Sequence, residues 1–397
     1  MTESGTGVEG VPPAERGSLR EVATLFLKLG FIAFGGPAAH VAMMRQEVVQ
    51  RRKWLSDQRF LDLFGAANLI PGPSSTELAI FLGYVRAGWP ALILAGVLFI
   101  APAMLMVLTF AWVYVHLGRF PAVGWLLYGI KPVVIAVIAQ ALYGLGRTAI
   151  KGPGLAVLGL AVLGLYFVGV NVIVLLFGGA LLYTLLQNVR RLRSQFVGLL
   201  VLPTSIPALG GVLSATSFTG ASVSLLTLFL TFLKVGAVVY GSGYVLLAFL
   251  RADFVQHLHW LTDQQLIDAV AVGQFTPGPV FTTATFLGYL FAGVPGALLA
   301  TLAIFLPSFL LVPLVFPIVS RLRRSPWTSA LLDGVNAAAL GLMAAVALQL
   351  GKASIVDPLT VIVALVALAI LLRFKPNSAW LVLGGGAVGV ASRLSTG

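Results

Sequence analysis

The sequence predicts an all-α polytopic membrane protein made of two inverted-topology repeats, with broken helices and re-entrant-type hairpins. Three observations carry that prediction. Apolar runs of membrane-spanning length recur along the chain, the second half repeats the first, and matching Gly- and Pro-rich interruptions fall in both halves.

The apolar runs set the class. Of 397 residues, 59% are hydrophobic and 10% are charged, whereas a soluble chain carries about a quarter charged residues. Roughly 20 apolar residues cross the hydrocarbon core. Runs near that length include Pro90–Leu117, Val123–Leu145, Leu155–Val168, Val172–Leu186, Val223–Leu250, Val294–Val319, Leu331–Leu350, Leu359–Leu372 and Ala379–Ala391. The polar start, Met1 to Gly17, has no apolar h-region, so no signal peptide is expected. With no cysteine, a disulfide framework, a thiolate metal site and thiol chemistry are excluded. The net charge of +12 is read as Lys and Arg at membrane-facing loops, not as a nucleic-acid surface. Such a field favours anionic substrates.

The repeat is visible when the chain is slid along itself. At an offset of 206, Lys28 meets Lys234, Gly30 meets Gly236, Gly35 meets Gly241, and Trp54-Leu55 with Asp57-Gln58 meet Trp260-Leu261 with Asp263-Gln264. Asp62 meets Asp268, and Pro71-Gly72-Pro73 meets Pro277-Gly278-Pro279. At an offset of 205, Phe81-Leu82-Gly83-Tyr84 matches Phe286-Leu287-Gly288-Tyr289, Ala87-Gly88 matches Ala292-Gly293, and Pro102 matches Pro307. The organisation predicted is a polar tail at 1–20, a first repeat at 21–190, a linker at 191–222 and a second repeat at 223–395.

Charge bias gives the relation between the halves. Arg45, Arg51, Arg52 and Lys53 precede Trp54, while the stretch before Trp260 offers Arg251 beside Asp253. The bias then reverses: Arg321, Arg323 and Arg324 answer a loop holding Arg119. Basic loops mark the cytoplasm, so equivalent loops lie on opposite sides and the repeats are expected to be inverted; Arg190, Arg191 and Arg193 would be cytoplasmic.

Two places per half interrupt the helices. One is Phe34-Gly35-Gly36-Pro37, answered by Tyr240-Gly241-Ser242-Gly243. Glycine permits close backbone approach, and Pro37 removes an amide hydrogen. The other is Asn68-Leu69-Ile70-Pro71-Gly72-Pro73-Ser74-Ser75-Thr76, answered by Gln274-Phe275-Thr276-Pro277-Gly278-Pro279. Each reads as a helix–break–helix hairpin. Pro73 and Pro279 fit the first position of the returning helix. The amides at Ser74–Thr76 and Val280–Thr282 are then left without intrahelical acceptors, at the positive end of a helix dipole. Hydroxyls of Ser74, Ser75, Thr76, Thr282 and Thr283, with the amides of Asn68 and Gln274, add neutral donors. Irregular backbone at membrane depth is tolerated only where it is buried or lines a cavity. Two such termini meeting near the midplane would make a cage for an oxyanion.

On these residues the chain resembles the chromate ion transporter family in its long, two-domain form, over residues 20 to 395. The resemblance rests on Phe34-Gly35-Gly36-Pro37, on Pro71-Gly72-Pro73-Ser74-Ser75-Thr76-Glu77 and on Gly83-Tyr84-Val85-Arg86-Ala87-Gly88. In the second half it rests on Gln274 through Pro279 followed by Thr282-Thr283-Ala284-Thr285-Phe286-Leu287-Gly288-Tyr289. It implies a secondary transporter in the bacterial inner membrane that exports chromate dianion, with sulfate as its chemical look-alike. Coupling to the proton gradient and chromate resistance are further implications. The expected partners are a chromate- or sulfate-like oxyanion, the lipid bilayer and a second copy in a homodimer. Nucleic acid, metal and cofactors are not expected. No catalytic constellation is visible, so an enzyme is not expected. A passive anion channel and a carrier of sulfate or another oxyanion are the rival readings.

Several charged residues carry two readings each. Lys28 and Lys234 lie in apolar helices about two turns before their glycine breaks; they bind the anion or snorkel to the interface. Glu77, one turn into the returning helix, couples a proton when protonated or pairs with Arg86. Asp62 and Asp268 share that choice with an exposed helix face. Lys131 and its counterpart Asn336 line the pathway or serve structure. Asp253, His257 and His259 read as a solvated loop more readily than as a metal site. Gly384–Gly386 read as helix packing, not nucleotide binding.

Overall fold

The computed structural model describes residues 17–118, 120–195, 224–240, 243–318, 325–374 and 376–394, omitting side chains at 189–195 and 318. Gly241 and Ser242, the basic residues Arg119, Arg321, Arg323 and Arg324, most of the expected linker and the side chains of Arg190, Arg191 and Arg193 lie outside it.

Every described element is helical. The first half runs α1 (Leu19–Ile32), α2 (Gly36–Arg45) continued by a π-helical turn (Gln46–Arg51), α3 (Asp57–Ala67), α4 (Ser74–Leu117), α5 (Pro121–Ala149), α6 (Pro153–Phe167), a π-helical turn (Val174–Gly178) and α7 (Gly179–Gln195). The second half runs α8 (Leu225–Val238), α9 (Leu246–Leu250) continued by a π-helical turn (Arg251–His257), α10 (Asp263–Phe275), a 3₁₀ turn (Val280–Thr282), α11 (Thr283–Val315), α12 (Pro326–Ser354), α13 (Pro358–Phe374) and α14 (Ser378–Leu394). Start signals repeat with the elements. Ser18 and Ser224 cap α1 and α8, and Ser56 and Thr262 cap α3 and α10, each hydroxyl taking an otherwise orphaned amide. Even the unusual positive φ of Lys53 recurs at His259.

The longest elements are hairpins. Within α4, Ala87 and Gly88 leave helical geometry, and within α11 Ala292 and Gly293 do the same. Gly88 (φ 75°) and Gly293 (φ 61°) occupy the left-handed region that favours glycine. The chain folds back there: a Cβ at Gly83 would strike the Ala91 carbonyl and Ala95, and one at Gly288 would strike Gly296 and Ala300. The motif Gly-Tyr followed by Ala-Gly is thus a turn between a short leg and a full span, a turn the apolar pattern alone conceals.

Residues 74–117, 121–149, 280–315 and 326–354 are long and apolar enough to cross a membrane, and five shorter helices are apolar. Ile93, Val97 and Leu105 on the long leg of α4 are exposed, as are their counterparts Leu298, Leu302 and Leu310 on α11. Exposed stripes of this kind are what hydrocarbon covers. The protein is a multi-pass membrane protein.

The halves exchange their ends. Helices α6 and α7 pack on α12 of the other half, and α13 and α14 pack on α5. Gly385 and Gly389 allow α14 to reach the backbone of Gly129 and Trp125, so these glycines serve helix packing. The equivalent helices α5 and α12 run antiparallel. Ile135 lies against Gly351, Leu340 against Gly146, and Lys151 pairs with Asp333 at 2.6 Å.

Candidate anion-binding site

Four helix breaks converge between the halves, and backbone hydrogen bonds join them crosswise. The Gly72 amide donates to the Val239 carbonyl (2.7 Å), and the Gly278 amide donates to the Ala33 carbonyl (2.8 Å). Donors and acceptors are equivalent residues in the two repeats, so each Pro-Gly-Pro break is tied to the glycine break of the opposite half. Both glycines need positive φ, 134° at Gly72 and 95° at Gly278. A side chain would also collide, at Gly72 with Glu77 and Ser308 and at Gly278 with Ala103. Gly35 (φ 102°) caps α2, with Gly36 and Pro37 in its first turn.

Both prolines sit one position earlier than the sequence predicts. Pro73 (φ −78°, ψ 95°) and Pro279 (φ −68°, ψ 133°) are extended N-caps, not first helical residues. Their carbonyls therefore reach the chain ahead: the Thr76 amide (2.8 Å) and Glu77 amide (3.1 Å) donate to Pro73, and the Thr282 amide (3.0 Å) to Pro279. The amides left without an intrahelical acceptor are those of Ser74 and Ser75, and of Val280 and Phe281.

The side chains divide into those satisfied locally and those that are not. Thr282 donates its hydroxyl to Pro279 and Thr283 donates to Val280, both at 2.8 Å. Asn68 is exposed and donates back to Phe64 (3.1 Å). Its counterpart Gln274 is buried; its Oε1 accepts from the Tyr244 hydroxyl (3.0 Å) and its Nε2 has no partner. Thr76 is fully buried with its Oγ1 unpartnered. Tyr244 also faces Gly36, and Gly243 lies against Val280, so the second-half residues meet both breaks.

His40 was not singled out by the sequence, since a lone histidine carries no pattern. It is buried, with Nε2 2.9 Å from the Ala33 carbonyl and Nδ1 3.2 Å from Ser75 Oγ. A carbonyl only accepts, so Nε2 carries the proton and neutral Nδ1 accepts from the Ser75 hydroxyl. Ala33 thus receives both His40 and Gly278, joining three breaks through one carbonyl.

Glu77 does not pair with Arg86, whose guanidinium goes to Glu21 (2.9 Å). Its carboxyl is fully buried; Oε1 accepts from Ser308 (3.1 Å), and Oε2 has no partner. Lys28 pairs with Glu47 (2.8 Å) and Lys234 with Asp253 (2.5 Å), each across its own glycine break. The bidentate pairs Arg45–Asp57 and Arg251–Asp263 are likewise equivalent. Asp268 is buried beside Lys131 (3.0 Å), whereas Asp62 sits near Gln58 on the surface of α3. Asp253 is engaged by Lys234 and His259 turns to Val255, and no metal-binding cluster occurs among the described residues.

What these features define is a duplicated, helical, multi-pass membrane protein whose broken helices meet between the repeats. The family model described as "Chromate transporter" matches residues 20–184 and again 226–390, and the chain belongs to that family. It is similar to a chromate transport protein of Cupriavidus metallidurans, at 36% identity over 96% of this chain and 95% of the relative. A probable chromate transport protein of Synechococcus elongatus is 34% identical over 88% of this chain and 89% of its own length. A chromate transport protein of Pseudomonas aeruginosa is 31% identical over 87% and 83%. No solved structure matches the chain.

Proposed function

We propose that this protein is a secondary transporter that exports chromate dianion across the bacterial inner membrane, driven by the proton gradient, and so confers chromate resistance. The observation that carries the reading is that each Pro-Gly-Pro break is tied to the glycine break of the opposite repeat and carries a buried donor without a partner, Thr76 Oγ1 at the first and Gln274 Nε2 at the second. Uncommitted amides at a helix N-terminus attract an oxyanion without a counter-charge. The names of the relatives supply the anion.

The substrate is held at residues 35–37, 71–76, 243, 274 and 277–279, with the Gln274 amide and the Thr76 hydroxyl as its principal side-chain donors. Glu77 carries the coupled proton, because a fully buried carboxyl with one oxygen unpartnered is a natural place to gain and lose one. The repeats are inverted, a reading supported by the reversed charge bias and by the antiparallel packing of α5 on α12. Alternating access then rocks one repeat against the other about the shared breaks.

The test is chromate uptake into everted membrane vesicles with and without an imposed proton gradient, beside a Pro73→Ala, Pro279→Ala double variant. Gradient-dependent accumulation, inhibited by sulfate and lost in the variant, is expected. Uptake that never exceeds equilibrium would indicate a passive channel. Sulfate accumulation without chromate accumulation would move the substrate to another oxyanion.

A further inference from the structure

A cavity of about 380 Å³ lies apart from the breaks, where the ends of four helices meet. It is lined by Trp125, Tyr128 and Lys131 of α5, Gln264 of α10, Ser354 of α12 and Arg393 of α14, and it borders exposed Val356 in the α12–α13 loop. A water takes about 30 Å³ of liquid, so the cavity has room for a tetrahedral oxyanion with part of its hydration shell. We propose that it is a second oxyanion site, a loading vestibule in which Lys131 is shared between the incoming dianion and Asp268.

Three observations support this. First, two cations line one small cavity. The Arg393 guanidinium lies 4.8 Å over the Tyr128 ring, and the Tyr128 hydroxyl donates to Asp357 (2.5 Å), which fixes that ring at the rim. Second, Ser354 is 3% exposed and its hydroxyl has no partner, so a buried donor waits unused in the wall. Third, the Lys131–Asp268 pair is incompletely engaged. Lys131 Nζ lies 3.0 Å from Asp268 Oδ1, yet that oxygen accepts no well-formed hydrogen bond, while Oδ2 accepts from Tyr114 (2.9 Å). An ammonium has three donors, and a dianion competes for them with twice the charge of the carboxylate.

The molecule supplies its own contrast at the matching place in the other repeat. There Asn336 stands for Lys131, Ala149 for Ser354 and Asn188 for Arg393. The Asn188 amide donates to Thr184 (2.8 Å), and among the described side chains there Lys151 is taken by Asp333 (2.6 Å). At these three positions Lys131, Ser354 and Arg393 thus answer two amides and an alanine.

The inference rests on the oxyanion-transport reading, and chromate uptake into proteoliposomes holding the full chain separates the two. Chromate is presented from each face in turn, and KM and maximal rate are read independently. Arg393→Ala, at an exposed position, and Lys131→Gln are expected to raise KM three- to tenfold from one face with the maximal rate kept. Lys131→Arg is expected to stay near wild type. Asp268→Asn is expected to lower KM, because it releases Lys131; loss of a merely structural ion pair would not do so. Wild-type protein that takes up no chromate from either face overturns the transport reading itself. Active wild type with KM unmoved from both faces by Arg393→Ala and Lys131→Gln overturns the vestibule. A folded Asp268→Asn protein with raised KM overturns the sharing of Lys131.

Discussion

The two Pro-Gly-Pro breaks share a backbone and differ in chemistry. Each glycine takes positive φ and donates to the equivalent carbonyl of the opposite repeat, so the duplication has kept its hydrogen-bond scaffold on both sides. The side chains have diverged. The first break carries a buried carboxyl at Glu77, a histidine-bound Ser75 and an exposed Asn68. At the second break, Thr282 and Thr283 are satisfied by their own turn, and Gln274 is buried with a free amide. Backbone geometry is constrained by the joining of the halves, because each break is hydrogen-bonded to the glycine break of the opposite repeat. Side chains are not so constrained: both breaks offer the anion a buried donor, Thr76 at the first and Gln274 at the second, and the first alone adds a carboxyl suited to a proton.

The comparison breaks most sharply at the glycines. Placing an L-residue in the left-handed region costs about 1–2 kcal/mol before any clash. Gly278→Ala adds a collision with Ala103, and Gly72→Ala a collision with the Glu77 carboxyl and Ser308. Both variants are expected to lose chromate transport altogether and to unfold at lower temperature. Gly88→Ala is the control, since its φ is also positive but nothing lies within 4 Å of a new Cβ. It should unfold earlier through backbone strain alone and keep transport. Full activity in Gly72→Ala beside a dead Gly278→Ala would show that only one break is indispensable.

The division of roles is tested next by Glu77→Gln. Gradient-driven uptake is expected to fall at least about tenfold, equivalent to 1.4 kcal/mol in the barrier, while chromate binding measured without a gradient persists. Thr283→Val, at the second break, should leave the gradient response intact. A proton-driven Glu77→Gln protein would remove the carboxyl from the coupling step.

A smaller contrast separates the paired amides. A hydrogen bond to a charged partner contributes about 1.5–3 kcal/mol, so Gln274→Ala should raise the chromate Kd about tenfold or more. Asn68→Ala should change it less than about twofold, because that side chain bonds its own helix. Equal effects in equilibrium binding would mean that Asn68 turns inward when the anion arrives.

The repeat, the four breaks and the hairpins were legible in the sequence because glycine and proline announce backbone exceptions wherever they recur. The turn at Ala87-Gly88 was not, since an apolar hairpin and an apolar span have the same composition. Nor were the partners of Glu77, His40 and Gln274: Ser308 lies 231 positions from Glu77, and no local period links them. The threonines misled for a physical reason. A hydroxyl in the first turn of a helix bonds the carbonyl three residues back, and Thr282 and Thr283 are spent that way. Lys28 and Lys234 were visible as intramembrane cations, but their carboxylates lie 19 residues on, beyond a break that no helical spacing rule crosses.

Those lysines give the smallest effect expected on transport and the finest test of how far the halves have diverged. Both side chains are partly exposed, and each pairs with a carboxylate that is mostly buried. Glu47 also has Arg51 at 2.9 Å and Arg52 at 3.5 Å, so Lys28→Met leaves its charge compensated. The cost should be under about 1 kcal/mol, as for exposed ion pairs. Asp253 has Lys234, and its second oxygen is buried without a partner. Lys234→Met therefore strands a buried charge and should cost more, about 1–3 kcal/mol by the penalty for an unsatisfied buried group. Thermal unfolding of the two variants in detergent measures the difference, with chromate KM expected to stay within about twofold of wild type in both, a shift of under 0.5 kcal/mol. A KM raised by an order of magnitude in either variant would instead put that ammonium on the anion's path and make its carboxylate the competitor the anion displaces.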